Sequence, residues 1–480
     1  MGTGTPEATP AGTIPAELTA SCADVKVAGD ACVVAGARPR FIAAPASTAE
    51  ASALMAAAAG LGLTVMPRGS GSRLHWGSPA AACDLVVDTR RLGGVLEHAA
   101  GDLVVQVQAG VALHDLAAVL ATGGQRLALD PVGDAANGAG TIGGVVATNS
   151  AGPLRYRYGA PRDLLIGITV VRPDGAVARS GGKVVKNVAG YDLGKLFAGS
   201  YGTLGLITEA TFRLHPLPEA STWLALELPD PESAAEAVHV ICDSPLWPSA
   251  VELDWPSASA PLTVSVLLEG DAPSVQGRVA RMRELVGRGT AGSRSGKRKQ
   301  PDRDPVHPTP AVESADSITT PTEREGADGE AAGGAFQLAR PPADGRVRAP
   351  SDGTCVRVAF WVGQLDRVLS TIRTAGVANG VDPAISGSAG AGILDVVLGA
   401  PSGTAEVTRF VTELRAGLAA LSAGGVVPSV ASAVVVWAPP EVREAVDVWG
   451  PVSSLGLMQS VKDQFDPEHR MAPGRFAGGI

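Results

Sequence analysis

Arg68-Gly69-Ser70-Gly71-Ser72-Arg73 sets two guanidinium groups at the ends of a run of small residues. Glycines let successive backbone N–H groups turn into one concavity, a nest suited to a pyrophosphate. Arg68 and Arg73 add charge-assisted hydrogen bonds to such an anion. A second stretch has the same character: Asp130-Pro131 leads to Gly140-Thr141-Ile142-Gly143-Gly144, and then to Thr148-Asn149-Ser150. Small residues there allow the backbone to approach something large and flat, with Thr141, Thr148, Asn149 and Ser150 as bonding groups. Each loop alone reads better as a tight glycine turn, and it is their pairing that favours a ligand. Neither familiar phosphate motif is present. The dinucleotide fingerprint wants a glycine where Leu74 stands, and the Walker loop wants Gly-Lys-Ser/Thr.

The elements that must hold these loops are short. Phe41–Ala44 reads as a strand, and Ser47 with Glu50 three residues later as a capping box opening a helix that runs to Gly60. Leu63–Met66 then reads as a buried strand that delivers the nest. Strands are expected at 84–88 and 103–108, and a one-sided helix on Leu113, Leu116, Ala117 and Leu120. Another strand covers 164–171. Over 203–214, Leu204, Leu206, Thr208, Ala210, Phe212 and Leu214 alternate with a mixed outer face. Residues 221–288 read strand, helix, strand, helix; 355–437 read strand, helix, strand, helix, strand. Between them, 289–353 carries few large apolar residues and many prolines, so it reads as a solvated insert that cannot bury enough surface to order itself.

Composition narrows the classes. The chain has 480 residues, long enough for two or three domains, and a formal net charge of −9 with no basic stripe, against nucleic acid as the main partner. Its five cysteines are scattered with no CxxC spacing, which gives no iron–sulfur or zinc motif and fits a reducing, cytoplasmic compartment. No signal peptide or membrane span is read.

The two glycine loops, together with Gly181-Gly182-Lys183-Val184-Val185-Lys186-Asn187-Val188-Ala189-Gly190-Tyr191-Asp192-Leu193 and Phe197-Ala198-Gly199-Ser200-Tyr201-Gly202-Thr203-Leu204-Gly205-Leu206-Ile207-Thr208-Glu209, resemble the PCMH-type FAD-binding domain of the vanillyl-alcohol oxidase superfamily. Within it they are most similar to the E-type flavoprotein subunits of bacterial glycolate oxidases. The resemblance covers about 38–218 and the last thirty or so residues. It implies an α+β fold: a two-subdomain FAD-binding domain at 38–218, after an N-terminal segment at 1–37. A smaller α+β cap follows at 219–440, interrupted by the insert, and a C-terminal segment at 441–480 returns to the FAD domain. Members often carry asparagine where Ala472 stands. The resemblance also implies non-covalent FAD held by Arg68 to Arg73, Gly77, Asp130, Pro131, Gly140, Thr141, Gly143, Gly144, Thr148, Asn149, Gly202 and Ile207. Relatives that attach the flavin often place histidine where Ser72 stands.

The activity implied is oxidation of a 2-hydroxy acid, by this chain as one subunit of a glycolate oxidase or dehydrogenase complex. Its expected partners are a second flavoprotein and an iron–sulfur subunit, through which it would sit at the periphery of a membrane. The alternatives are a self-sufficient FAD enzyme for another alcohol or sugar, and a non-catalytic flavin scaffold. Catalytic relatives hold a metal with a His-x-Gly-Asp-Gly-Asn-x-His motif in the cap; this chain has none, so no metal is expected. Lys186, Tyr191 and Asp192 are the candidates for contact with flavin or substrate, Lys186 reading equally as a solvated loop lysine. With no carboxylate anchor or base legible in the cap, the isolated chain is expected to turn over poorly.

Overall fold

The computed structural model describes residues 13–131, 140–182, 192–292, 337–339, 353–399, 402–423 and 431–480. Its first sheet holds β1 (Val25–Val27), β2 (Phe41–Ala43), β3 (Val65–Arg68) and β4 (Leu85–Asp88) in the order β1-β2-β4-β3. β4 runs parallel to both β2 and β3. Parallel neighbours need a crossover, and the helix Thr48–Gly60 supplies one, burying Ala51, Leu54, Met55 and Ala58 against Phe41, Val65, Leu85 and Val87. Ser47 Oγ accepts the Glu50 N–H at 3.1 Å, but the expected capping box closes on that side only. The Glu50 carboxylate instead accepts from the N–H groups of Ala46 and Ala23, both at 2.7 Å, which ties the helix start to the chain before β1.

The second sheet is antiparallel: β5 (Val95–Ala99), β6 (Val104–Gln108), β8 (Leu165–Val171), β9 (Val177–Gly181) and β10 (Leu206–Arg213), in the order β5-β6-β10-β8-β9. A short pair, β7 (Gln125–Arg126) with β11 (His215–Pro216), closes its end. The helices Leu113–Ala121 and Ile142–Thr148 pack on it, through Leu116, Leu120, Ile142, Val145 and Val146. The outer face of β10 is not solvated as its mixed pattern implies. Glu209 there accepts hydrogen bonds from Thr48 (3.1 Å), Thr169 (2.9 Å) and Gln106 (3.3 Å), so its charge is sheltered where the two sheets meet.

The cap is one eight-stranded antiparallel sheet built from two like halves. The first runs β12 (Ala220–Leu228), helix Pro231–Cys242, β13 (Ala250–Trp255), β14 (Leu262–Gly270), helix Ala272–Gly292 and β15 (Gln337–Ala339). The second runs β16 (Thr354–Ala359), helix Leu365–Asn379, β17 (Ala384–Ser388), β18 (Ile393–Leu398), helix Thr404–Ala423 and β19 (Ser432–Trp437). The order β15-β12-β14-β13-β17-β18-β16-β19 reads fourth-first-third-second and then its mirror image, so each half is a split βαβ motif, joined at β13 and β17. Alternate residues such as Leu224, Leu226, Val264, Val266, Val356 and Val358 share a single core with the four helices. β15 lies inside the stretch read from the sequence as an insert. As the fourth strand of the first half it pairs with β12, and a three-residue edge strand leaves no periodic signature to read. Residues 293–336 and 340–352 lie outside the described residues.

The chain then returns. After the helix Leu455–Phe465, the Val65 N–H donates to Arg470 O and the Ala472 N–H to Val65 O, both at 2.8 Å, so residues 470–472 run along the outer edge of β3. Lys462 Nζ, fully buried, donates to Asp466 Oδ2 (2.7 Å), Thr203 O (2.8 Å) and Met471 O (3.0 Å). Ala472 is fully buried with φ +42°. Asparagine tolerates that left-handed region better than alanine does, a physical reason for the residue the resemblance leads one to expect there.

Candidate cofactor site

β3 ends at Arg68, and the nest follows at once. One cleft runs from it along the helix Ile142–Thr148 to the start of β10, and its lining includes Arg68 to Leu74, Thr141, Gly143, Gly144, Thr148, Tyr201, Gly202, Ile207 and Arg475. Twelve of the seventeen residues expected to hold the cofactor line it: Arg68, Gly69, Ser70, Gly71, Ser72, Arg73, Thr141, Gly143, Gly144, Thr148, Gly202 and Ile207. The glycines are required by close approach. A Cβ on Gly69 would collide with the Thr141 hydroxyl, and one on Gly143 would sit 2.9 Å from Ala109 Cβ. Gly71, at φ +82°, turns the nest inward.

The other five expected residues shape the loops from outside the lining. Gly140, at φ +89°, leaves room for the Arg73 guanidinium, with which a Cβ would collide. Gly77 packs beneath Arg475 O, and its own carbonyl accepts from Arg443. Asp130 accepts the Leu154 N–H at 3.1 Å. Pro131 is the last described residue before the second loop. Asn149 caps the helix Ile142–Thr148 in the left-handed region and accepts the Arg162 N–H at 3.1 Å. Among the catalytic candidates, Lys186 and Tyr191 lie outside the described residues. Asp192 is exposed, pairs with Lys195 at 3.3 Å and is not part of the lining.

The two arginines of the nest differ. Arg68 Nη2 is bound to Asp88 Oδ2 at 2.8 Å, because the parallel register sets Asp88 directly beside it. Burial would raise the Asp88 pKa, but Arg90 and Arg68 together hold it below the usual carboxylate range. Arg68 therefore braces the strand ends. Arg73 is 8% exposed and donates to the Ser150 and Ser72 hydroxyls, both at 3.2 Å. Burial, and then the like charge of Arg357, push it down to about 10. Among the described residues, the N–H groups of Ser70, Gly71 and Ser72 find no acceptor. Open donors in a glycine cradle, with a buried cation beside them, fit a pyrophosphate.

Three residues at the cleft were not singled out by the sequence reading. Tyr201 and Arg475 line it, and Arg357, from cap strand β16, stands beside Trp76, whose carbonyl accepts from Arg475. Tyr201 takes φ +56°, and its ring is held edge-on by Trp449 (4.9 Å) with Phe476 beyond (5.7 Å). Arg475, 3% exposed, donates to the carbonyls of Trp76 and Ser78. Arg357 makes a bidentate pair with Asp395 (2.7 and 2.9 Å) and lies 5.1 Å from the centre of the Trp76 ring. Burial opposes the Arg357 charge, but Asp395 outweighs it and raises the pKa. Tyr201 stands in a stretch quoted for the resemblance and Arg475 in the last thirty or so residues that it covers, but nothing local marks them.

A fold of two small sheets clasping a glycine-walled cleft, under a cap of paired split βαβ halves, defines a class of two-domain nucleotide-cofactor flavoproteins. Residues 39–181 match the family model described as "FAD binding domain", so the chain carries an FAD-binding domain and FAD is its cofactor. The chain is 36% identical over 220 residues to glycolate oxidase subunit GlcD of Bacillus subtilis, 46% of each protein. It is 37% identical over 183 residues to glycolate oxidase subunit GlcE of Escherichia coli, 38% of this chain and 49% of that one. It is 33% identical over 219 residues to a mitochondrial D-lactate dehydrogenase (cytochrome) of Saccharomyces cerevisiae, 45% of this chain and 36% of that one. The chain thus spans about half the length, or less, of the curated relatives it matches. A solved alkyldihydroxyacetonephosphate synthase shares the fold, with TM-score 0.62 at 16% identity over 91% of this chain and 77% of that one. Among the described residues no group of His, Cys, Asp or Glu side chains could hold a metal, and no helix is long and apolar enough to cross a membrane.

Proposed function

We propose that this chain is an FAD-dependent oxidoreductase acting on a 2-hydroxy acid, and that it works as a subunit of a glycolate-type oxidase or dehydrogenase complex. The single observation that carries the reading is the open cofactor cleft, whose nest at Ser70–Ser72 and buried Arg73 fit the pyrophosphate of FAD. In this reading Arg475, from the C-terminal segment, and Arg357, from the cap, supply the positive charge for an acid bound beside the cofactor. The names of the relatives, glycolate oxidase subunits and a D-lactate dehydrogenase, support the substrate class.

In this reading the Ser70–Ser72 N–H groups and Arg73 hold the pyrophosphate of a non-covalently bound FAD. Bound there, FAD supplies the two-electron acceptor for hydride from the carbinol carbon. The chain's own contribution is to hold and orient the acid and to shelter it beneath the cap. The proton of the substrate hydroxyl needs a base, and none is at hand among the described residues of the lining. A second flavoprotein subunit would supply that base, and an iron–sulfur subunit would take the electrons onward. Arg357 and Arg475 favour a second reading, in which the chain is self-sufficient. The test is a dye-reduction assay with glycolate and D-lactate, on the purified yellow chain alone and with co-purifying partners. Turnover that rises about a hundredfold or more with partners supports the subunit reading, since absence of a general base typically costs that much. Equal turnover by the chain alone supports the second reading, and no reduction in either case overturns both.

A further inference from the structure

Tyr201, Arg357 and Arg475 come from three separate parts of the molecule: the loop before β10, the cap strand β16 and the C-terminal segment. Their chemistry is incomplete as it stands. Arg475 Nε is buried with no hydrogen-bond partner, its two terminal nitrogens being spent on the carbonyls of Trp76 and Ser78. Arg357 turns Nε and Nη2 toward Asp395, which leaves Nη1 with no acceptor among the described residues. The Tyr201 hydroxyl has no hydrogen-bond partner among the described residues either; burial raises its pKa, against the opposing charges of Arg357, Arg475 and Arg73. Behind them stands Arg443, whose like charge, after burial, pushes Arg475 down to about 10. Asp395 answers the Arg357 charge, but among the described residues no carboxylate pairs with Arg475 or Arg443, so the buried charge at this end of the cleft calls for an anion.

The nest at Ser70–Ser72 has its own open donors for the cofactor's phosphates, and the buried Nε–H of Arg475 is left over. The tyrosine also carries a backbone penalty: φ +56° is a conformation glycine takes readily and a bulky residue does not. Its ring is fixed by Trp449 and Phe476, so the hydroxyl is held in place before any ligand arrives.

We infer that Tyr201, Arg357 and Arg475 form a binding site for a small carboxylate, with the Tyr201 hydroxyl as the donor that sets its affinity. This rests on the reading of the chain as a hydroxy-acid oxidoreductase only for the choice of carboxylate among small anions. Arg357 and Arg475 supply the charge, while the hydroxyl supplies direction and distinguishes a planar carboxylate from a spherical anion.

The experiment titrates the FAD-loaded full chain with oxalate, which cannot be oxidised by hydride loss. It follows the flavin absorbance band and, separately, the melting temperature. Wild type is expected to show a saturable shift in both, with chloride at the same ionic strength giving neither. Tyr201→Phe keeps the ring contacts and is expected to weaken oxalate about tenfold or more, the loss of one hydrogen bond to a charged group, with flavin content unchanged. Arg357→Lys keeps a cation for Asp395 but loses the free arm, and should weaken oxalate as well. Undiminished oxalate affinity in Tyr201→Phe overturns the inference, as does a wild type that does not bind oxalate. Loss of FAD from Tyr201→Phe overturns it too, by assigning the hydroxyl to the cofactor. The dye assay is independent: turnover with an unaffected Tyr201→Phe sinks this site but keeps the enzyme, while weakened oxalate binding without turnover does the reverse.

Discussion

Gly140 is a residue at which the cofactor site has no room for a side chain. At φ +89° an alanine is strained, and its methyl group would collide with the Arg73 guanidinium. Gly140→Ala is expected to lower stability by about 1–2 kcal/mol from the backbone alone, and to reduce the flavin bound per chain as Arg73 is displaced. Melting temperature and the ratio of flavin to protein absorbance check the two effects; unchanged flavin content would separate Arg73 from the cofactor. At this scale the sequence was legible where function is local. The nest reads directly from Gly69 to Ser72, because glycine, serine and a flanking arginine are what an anion cradle requires. Arg68 and Arg73 look alike in the sequence, and their difference depends on Asp88, twenty residues away and brought alongside by strand register. Tyr201 and Arg475 stood in plain view, and Arg357 in an ordinary strand, but no spacing rule links the three.

At the scale of elements, the returning segment depends on one buried ion pair. Lys462 gives its three donors to three acceptors, and both it and Asp466 are fully buried. Lys462→Met leaves the Asp466 charge with the Met471 N–H but no cation, and two carbonyls without their donor. It should destabilise the FAD-binding part by about 3–5 kcal/mol, the usual cost of breaking a buried pair from one side. Denaturant unfolding of the holoprotein measures this, and a loss under 1 kcal/mol would show that the segment docks by its apolar residues. Strands and helices with strong periodicity were legible before the structure. The helix on Leu113, Leu116 and Leu120 runs as its pattern implies, and so does the alternating strand β10. The β13–β14 hairpin is two strands where the sequence reading has one, although Val251, Leu253 and Trp255 alternate with Glu252 and Asp254, and Leu262, Val264 and Val266 with Thr263 and Ser265. The twofold plan of the cap was hidden, since its fourth strand is three residues long and stands far from the helix before it.

Across the whole molecule, the cofactor part and the cap are fastened by charge. Arg126 holds Glu269 of β14 through two bonds (2.8 and 2.7 Å) and also donates to the Tyr158 hydroxyl at 3.0 Å, while His215 lies edge-on to the Tyr158 ring at 4.6 Å. Burial first, and then Arg213, Arg126 and Arg157, push the His215 pKa from 6.5 down to about 4. A histidine depressed on folding is neutral in the native state and takes up its proton more readily when unfolded. Its contribution is therefore whole above about pH 6.5 and is lost progressively as pH falls from there toward 4. His215→Phe, which keeps a ring against Tyr158, should flatten the decline in stability between those values. A pH–stability curve that keeps its slope in the variant would place the acid sensitivity elsewhere.

Residues 470–472 cover the outer edge of β3, the strand that delivers the anion nest, from some four hundred positions further along the chain. In the order of biosynthesis, that edge is the last part of the cofactor half to be completed. The nest, the second glycine loop and both halves of the cap emerge from the ribosome while β3 still exposes a raw row of peptide groups. Domains usually mature in the order they are made. Here the first becomes whole only after the second has been threaded, and the seam between them is sewn from the far end.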